Sequence, residues 1–213
     1  MRTTTIRTLA FAVAALVAGA AAADGEWRFG LRATLDWSDG EPIGDILSSG
    51  LFATRDMDGG WTLGLAADFS TWDAEHPAES IGITQDPAFE TVDAAVQQID
   101  LSVWMERRFG GDDDLRWTWR LGGGIGSSDV SDAAGPVQGG GTFDIHTETS
   151  VEPFVFGGVG LRMPFGAGWM LHSDLTLQFR SMGWEMVDRN SAARGEVSSE
   201  YLFGLGLGIS KRF

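Results

Sequence analysis

Three histidines carry the only side chains of this sequence that ordinarily titrate near neutral pH, and each has hydroxyl and carboxyl neighbours of the kind a hydrolytic site needs. His76 lies between Asp73 and Ser80, His146 between Asp144 and Ser150, and His172 directly precedes Ser173 and Asp174. Serine and aspartate are also ordinary loop residues, so these neighbourhoods alone define no catalytic group. Carboxylates are the other chemistry on offer. The stretch from Asp73 to Ala94 carries Asp73, Glu75, Glu79, Asp86, Glu90 and Asp93 with no Lys or Arg, and the stretch from Ser127 to Thr149 carries Asp129, Asp132, Asp144 and Glu148, again with no basic residue. Oxygen-only ligands suit Ca²⁺ or Mg²⁺. Neither stretch has the regular spacing of an EF-hand, so solvated acidic loops are expected, with no metal site and no cofactor.

The elements that hold these residues follow from the chain's two ends. Arg2 and Arg7, an apolar stretch from about Leu9 to Ala18 and the alanines before Asp24 read as a secretory signal peptide over residues 1–23, leaving 24–213 as one domain. Its loss removes two of the 15 basic residues and turns a formal charge of −15 into 13 basic against 30 acidic groups, or −17. Such a surface does not hold nucleic acid, whose recognition depends on Lys and Arg at the phosphates. The chain has no cysteine, so no disulfide framework supports it. No later segment approaches the ~18 consecutive apolar residues that a membrane helix requires.

At the other end, Tyr201, Phe203, Leu205, Leu207 and Ile209 alternate with Leu202, Gly204, Gly206, Gly208 and Ser210 before Lys211, Arg212 and Phe213. A period of two places the bulky set on one face of a strand and the nearly bare set on the other. A glycine-rich face suits the crowded inside of a small barrel. The same alternation recurs over 27–37, 61–71, 97–109, 115–125 and 169–179, and less regularly over 46–56 and 151–163, where Phe154 and Phe156 fall on the face of Glu152 and Arg162. Eight strands result, each about the length that crosses a bilayer at a tilt, roughly 9 to 11 residues. Short Gly- and Asp-rich links (56–60, 110–114, 164–168) alternate with long polar ones (38–45, 73–94, 127–149, 188–199), and Asp86-Pro87 is placed to start a short helix within the second long link.

The pattern predicts an all-β fold, an eight-stranded antiparallel up-and-down transmembrane β-barrel with both termini periplasmic and the long loops extracellular. Trp27, Trp61, Trp117 and Trp169 then fall near one membrane interface, and Trp37, Trp184 and Tyr201 near the other. The inward set holds charges of both signs: Arg28, Arg32, Asp68, Asp100, Glu106, Arg116, Arg120, Asp174 and Arg180 are expected to form lumen ion pairs, with Asp36, Arg108, Glu152, Arg162 and Arg212 on the same face. A soluble lipocalin-like cup is the rival. It would turn Arg32, Asp68, Asp100, Arg120, Asp174 and Arg180 outward together with the glycines.

The segment from Tyr201 to Phe213 resembles the terminal strand of the small outer-membrane barrels of the OmpA-like and OmpX-like, porin-like group. The resemblance covers the mature chain as architecture and this segment as sequence. It implies that Phe203, Leu205, Leu207, Ile209 and Phe213 form the signal read by the barrel-assembly machinery; Lys211 departs from the pattern, standing where an apolar residue is usual. It also implies outer-membrane lipid and lipopolysaccharide as surroundings, and a monomer. Some relatives of this architecture modify lipid A with a His and a Ser near the outer leaflet. His172 falls near the periplasmic end instead, and His172-Ser173-Asp174 lacks the His-x-Ser-Asn spacing of the deacylases. The expected role is structural, an envelope-integrity barrel with acidic surface loops, a plugged lumen and no enzymatic activity. A narrow porin, a lipid A-modifying enzyme and an adhesin are the alternatives.

Overall fold

The computed structural model describes residues 26–38, 45–77, 91–111, 114–136, 142–148, 151–190 and 194–213; the expected signal peptide over 1–23 lies outside them. The described chain forms ten strands: β1 (Trp27–Ser38), β2 (Asp45–Met57), β3 (Trp61–Pro77), β4 (Thr91–Gly111), β5 (Arg116–Val130), β6 (Ala133–Pro136), β7 (Thr142–Glu148), β8 (Val151–Phe165), β9 (Trp169–Asp188) and β10 (Arg194–Arg212). Eight of them, β1–β5 and β8–β10, close into an antiparallel barrel. The closing seam pairs β1 with β10 from Arg28↔Arg212 to Ser38↔Leu202. Closure leaves these strands no free edge.

The pairing is staggered. Followed from Arg28 through Thr54, Gly64, Trp104, Gly122, Phe156, Gln178 and Leu202, it returns to β1 at Ser38, ten residues beyond its start. Such a stagger tilts the strands and, with eight of them, leaves a bore that side chains fill. The first and last described residues, Glu26 and Phe213, lie at the end of the barrel where turns are tight. There Gly59 and Gly60 take φ of 75° and 76° between β2 and β3, and Gly166 and Gly168 take 56° and 82° between β8 and β9. A residue with a Cβ is strained in that region. This end is called the turn end below, and the opposite one the loop end.

Several strands outrun the clean alternation. β3 continues to Pro77 and β4 starts at Thr91, so the ends of the expected 73–94 loop are ladder, paired from Asp73↔Ala95 to Pro77↔Thr91. Val92 and Val96 are strand residues and not part of a helix; Asp86 and Pro87 lie outside the described residues. The expected 127–149 loop also needs correction. Its first residues finish β5, and β6 and β7 form a hairpin that stands on the extension of β9 through Ile145↔Asp188 and its neighbours. The strand thus replaces loop because β9 and β10 continue past the barrel wall and offer β7 an unpaired edge to join.

Outward side chains are apolar around the ring. Leu31, Leu121, Val155 and Leu207 expose between 57 and 62 % of their surface. A soluble barrel does not spread such side chains over its whole wall. The larger buried cluster lies inside the barrel, where Phe52, Ala66, Trp104, Phe154 and Phe156 pack together.

Candidate functional site

Among the described residues polar chemistry under burial is concentrated in the lumen, and the pleat determines which residues enter it. On β1, Arg32 points inward beside Gly50 of β2, and Gly50 in turn pairs with Asp68 of β3. The missing side chain at Gly50 leaves space for a fork: Arg32 Nε donates to Asp68 Oδ1 at 2.7 Å, and the second guanidinium nitrogen meets Oδ2. The device repeats. Gly126 lies between Asp100 of β4 and Glu152 of β8, and a Cβ there would overlap the guanidinium of Arg180, which donates to Asp100 at 2.9 and 2.8 Å. At Gly160 a Cβ would collide with Asp174 and meet Arg162 Nη1 at 2.7 Å. Glycine therefore supplies the cavities in which charged groups pair.

Two linked clusters result. Near mid-lumen, Arg162 holds Glu106 through Nε at 3.0 Å and Asp174 at 2.8 Å, and Arg120 reaches the other Asp174 oxygen at 3.2 Å. Toward the loop end, Arg180 joins Asp100 to Glu152, the latter at 3.7 Å, while Gln98 donates to Asp100 at 2.7 Å. Aromatic rings separate and cover these groups. Arg32 and Arg120 lie 5.4 and 5.9 Å from the Trp104 ring, and Arg180 lies 4.7 Å from the Phe154 ring. Such stacking adds favourable electrostatics once water is excluded. Two small spaces, about 20 and 60 Å³, lie on either side of Arg32 and Arg120. The first has room for a single ordered water and the second for a few, and neither is a solute path.

The inward set read from the sequence divides accordingly. Arg32, Asp68, Asp100, Glu106, Arg120, Asp174 and Arg180 meet in these clusters, with Arg162 and Glu152. Arg28 lies 3.7 Å from Asp56 near the turn end. Arg116 is half-buried there, and its Nε has no hydrogen-bond partner among the described residues. Arg108 and Arg212 are exposed at that rim, where Arg212 donates to Glu26 at 2.8 Å, so neither belongs to the lumen. The aromatic layer of Phe52, Trp104, Phe154 and Phe156 is a part of the plug that alternation of polar and apolar residues does not reveal. The glycines opposite it, Gly64 and Gly122, are the available signal: a Cβ on either would collide with the Trp104 side chain.

Aromatics collect at both ends. At the turn end Trp61 meets Trp119, Phe165 stacks with Trp169, and Trp117 is exposed. Trp27 differs from the expectation of a surface-facing ring: it is buried among Ala53, Phe29 and Leu65. At the loop end Trp37 stacks on Phe203 and Tyr201 meets Phe179 edge-on. The side chain of Trp184 lies outside the described residues. Along β10, Phe203, Leu205, Leu207, Ile209 and Phe213 all face outward and exposed. Phe213 closes the seam through its N–H to Trp27 O at 3.2 Å and its ring edge on Phe29.

Among the described residues no hydrolytic arrangement forms around His146 or His172. His172 Nε2 lies 2.7 Å from the buried Ser210 hydroxyl, an apparent nucleophile and base pair, but Asp174 is turned to Arg120 and Arg162, and the adjoining space of about 20 Å³ admits no substrate. His146, on β7, sits with its Nδ1 3.0 Å from Asp132 Oδ1, which also accepts from the Thr147 N–H at 3.4 Å. Slight burial works against ionisation of Asp132, and these hydrogen bonds outweigh it, holding the carboxyl below its usual range. His76 lies in β3 with its side chain outside the described residues. Among the described residues no group of three or more His, Asp or Glu is arranged to hold a metal ion.

By sequence the chain matches no family model and no curated protein. By fold it is similar to a major outer membrane protein from Thermus thermophilus, at 15% identity and TM-score 0.54 over 88% of this chain and 99% of that one. Neisserial surface protein A (12% identity, TM-score 0.48, 88% and 96% covered) and the attachment invasion locus protein Ail of Yersinia pestis (13%, 0.46, 90% and 100%) also match. The chain has the fold of the small outer-membrane β-barrels.

Proposed function

We propose that this chain is a bacterial outer-membrane barrel whose role is structural, maintaining the envelope by being inserted, with its lumen closed to solutes and its acidic loops extracellular. The observation that carries the reading is the inversion of the barrel: apolar side chains exposed around the wall, and ion pairs buried within. A wall of this kind is at equilibrium only against lipid, where closed barrels satisfy every backbone group. The similarly folded T. thermophilus chain, described as an outer membrane protein, supports the same surroundings. On this reading residues 1–23 direct export and are cleaved, both termini are periplasmic, and the barrel is a monomer among phospholipid and lipopolysaccharide. The barrel-assembly machinery reads Phe203, Leu205, Leu207, Ile209 and Phe213.

Closure is supported by the crossed arginines. Arg32 and Arg120 lie between the two small lumen spaces, and a charged solute would have to displace paired groups in a low-dielectric bore. Catalysis is disfavoured because the Ser–His contact found among the described residues, at Ser210 and His172, is sealed within the plug. The deciding experiment pairs a gel of unboiled and boiled detergent-folded protein with planar-bilayer recordings. A faster-migrating unboiled band and no sustained conductance are expected; solubility without detergent and no mobility shift would overturn the membrane reading, and sustained high conductance would overturn the plug.

A further inference from the structure

The outer wall is not uniformly convex. Across β1 to β5 it carries a groove of about 500 Å³, lined almost wholly by apolar groups. The register explains its origin. One outward row runs Phe29↔Ala53↔Leu65↔Val103↔Gly123, and the next row toward the loop end runs Leu31↔Leu51↔Ala67↔Leu101↔Ile125. Ala53, Ala67 and Gly123 are small where their neighbours are large, and together they sink the floor.

The charges on the same wall are sorted by height. Toward the loop end the outward charged side chains on the described parts of the barrel strands are Asp45, Asp73 and Asp129, while Arg189, just past the end of β9, lies 3.6 Å from Asp144. Toward the turn end they are cations, Arg55, Arg107 and Lys211, and each lies against an aromatic ring: Arg55 5.9 Å from Trp27, Arg107 5.2 Å from Trp61, and Lys211 5.4 Å from Trp169. Arg55 is two residues beyond Ala53 on β2, about 7 Å along the strand, and Arg107 is four beyond Val103 on β4, about 13 Å. Two cations therefore stand at the turnward mouth of the groove, while Lys211 is directed across β10 away from it. Exposed carboxylates at the same end, Glu26, Asp56, Asp58 and Asp114, stand at the rim and in the turns beyond this wall.

We infer that the groove is a binding site for one anionic diacyl phospholipid of the periplasm-facing leaflet, an acyl chain lying over Ala53, Ala67 and Gly123 and the headgroup phosphate held by Arg55 and Arg107. The inference rests on the membrane reading above. Chain and headgroup are recognised by separate features of the wall: the small residues admit a chain that a uniform Leu surface would hold no better than any other lipid, and the arginines select net negative charge. Stacking on Trp27 and Trp61 keeps both guanidinium groups at the interface.

The test folds the protein into nanodiscs containing equal phosphatidylglycerol and phosphatidylcholine, then counts retained lipid by native mass spectrometry. The wild type should retain phosphatidylglycerol with an enrichment of about 25-fold, two cations contributing about fivefold each. The double variant Arg55→Gln, Arg107→Gln should lose that preference, and Ala67→Phe, which fills the groove, should lose retained lipid of both kinds. Each variant is checked for the heat-dependent gel shift, so that absence of the shift in wild type indicts the membrane reading rather than the site. Equal retention of the two lipids by a wild-type barrel that does shift would overturn the site. So would unchanged retention in the folded Ala67→Phe variant.

Discussion

Replacing Arg162 with methionine asks whether the lumen is a dry, paired interior or a wet one. Arg162 is the guanidinium between Glu106 and Asp174, and side-chain exposures of 6 % for Arg162 and 9 % for Glu106 place the pair out of bulk water. Asp174 keeps Arg120 at 3.2 Å, but Glu106 loses its ion-pair partner. Removing one member of a buried pair leaves an uncompensated charge and costs about 3–5 kcal/mol, whereas replacing both members by neutral groups of similar volume is often nearly neutral. The single variant should therefore lose about 3–5 kcal/mol of unfolding free energy, and Arg162→Met with Glu106→Gln should recover most of that loss. Guanidinium titration of the barrel in detergent micelles, followed by tryptophan emission, measures both. A single-variant loss below about 1 kcal/mol, the value of an exposed pair, would refute a dry plug. Equal losses in the single and double variants would show that Arg162 acts through packing rather than charge.

Three other outcomes are expected. Gly126→Ala inserts a methyl group into the position of the Arg180 guanidinium and should destabilise by about 1–3 kcal/mol, as overpacking does, with the same titration as the readout. Asp132, whose carboxyl is held below the usual range, contributes stability that is present above its unfolded-state pKa of about 3.9 and lost as pH falls through the lower folded value; protection of the Thr147 amide from hydrogen exchange should fall in that acid window, and Asp132→Asn should make it independent of pH there. Phe213→Ala removes a ring-edge contact worth about 0.5–1.5 kcal/mol but leaves a backbone hydrogen bond, so folding in detergent should be little changed while the amount assembled in cells falls severalfold; equal effects in both assays would count against the terminal strand as an assembly signal.

The strands most legible in the sequence are those whose two faces meet different surroundings. β1, β9 and β10 set apolar residues toward the outside and Gly, Thr or charged residues inward, and a period of two is then unambiguous. β2 and β8 are harder to read because Ile46 near the loop end and Phe52, Phe154 and Phe156 of the aromatic layer point inward, which puts apolar residues on both faces. Inward charge was legible as a face but not as a set of pairs. Alternation gives the face of a residue and says nothing of its height, whereas the ten-residue stagger decides that Arg162 meets Glu106, 56 positions away. The same ignorance of height assigned Arg108 and Arg212 to the lumen, although they lie at the exposed rim. The β6–β7 hairpin left no pattern of its own: Ala133–Pro136 has no alternation, and its strand is made by a neighbour, β7, that β9 holds in place.

The groove and the plug have one physical origin. A wall that faces lipid gains nothing from bringing its apolar residues together, so the hydrophobic effect that builds a soluble core acts here mainly to keep the barrel inserted. What joins strands that do not pair with each other must then be directional: Arg180 from β9 to Asp100 on β4, Arg162 from β8 to Glu106 on β4, and Arg32 from β1 to Asp68 on β3. These links are strong only while water is excluded, since the same low dielectric that strengthens a pair makes an unpaired group costly. Tightness against ions and resistance to unfolding are consequently the same property of this lumen. A lumen variant that opens a conducting path should also lower the unfolding midpoint, whereas filling or widening the groove at Ala67 or Gly123, on the opposite face of the sheet, should change lipid retention and leave conductance untouched.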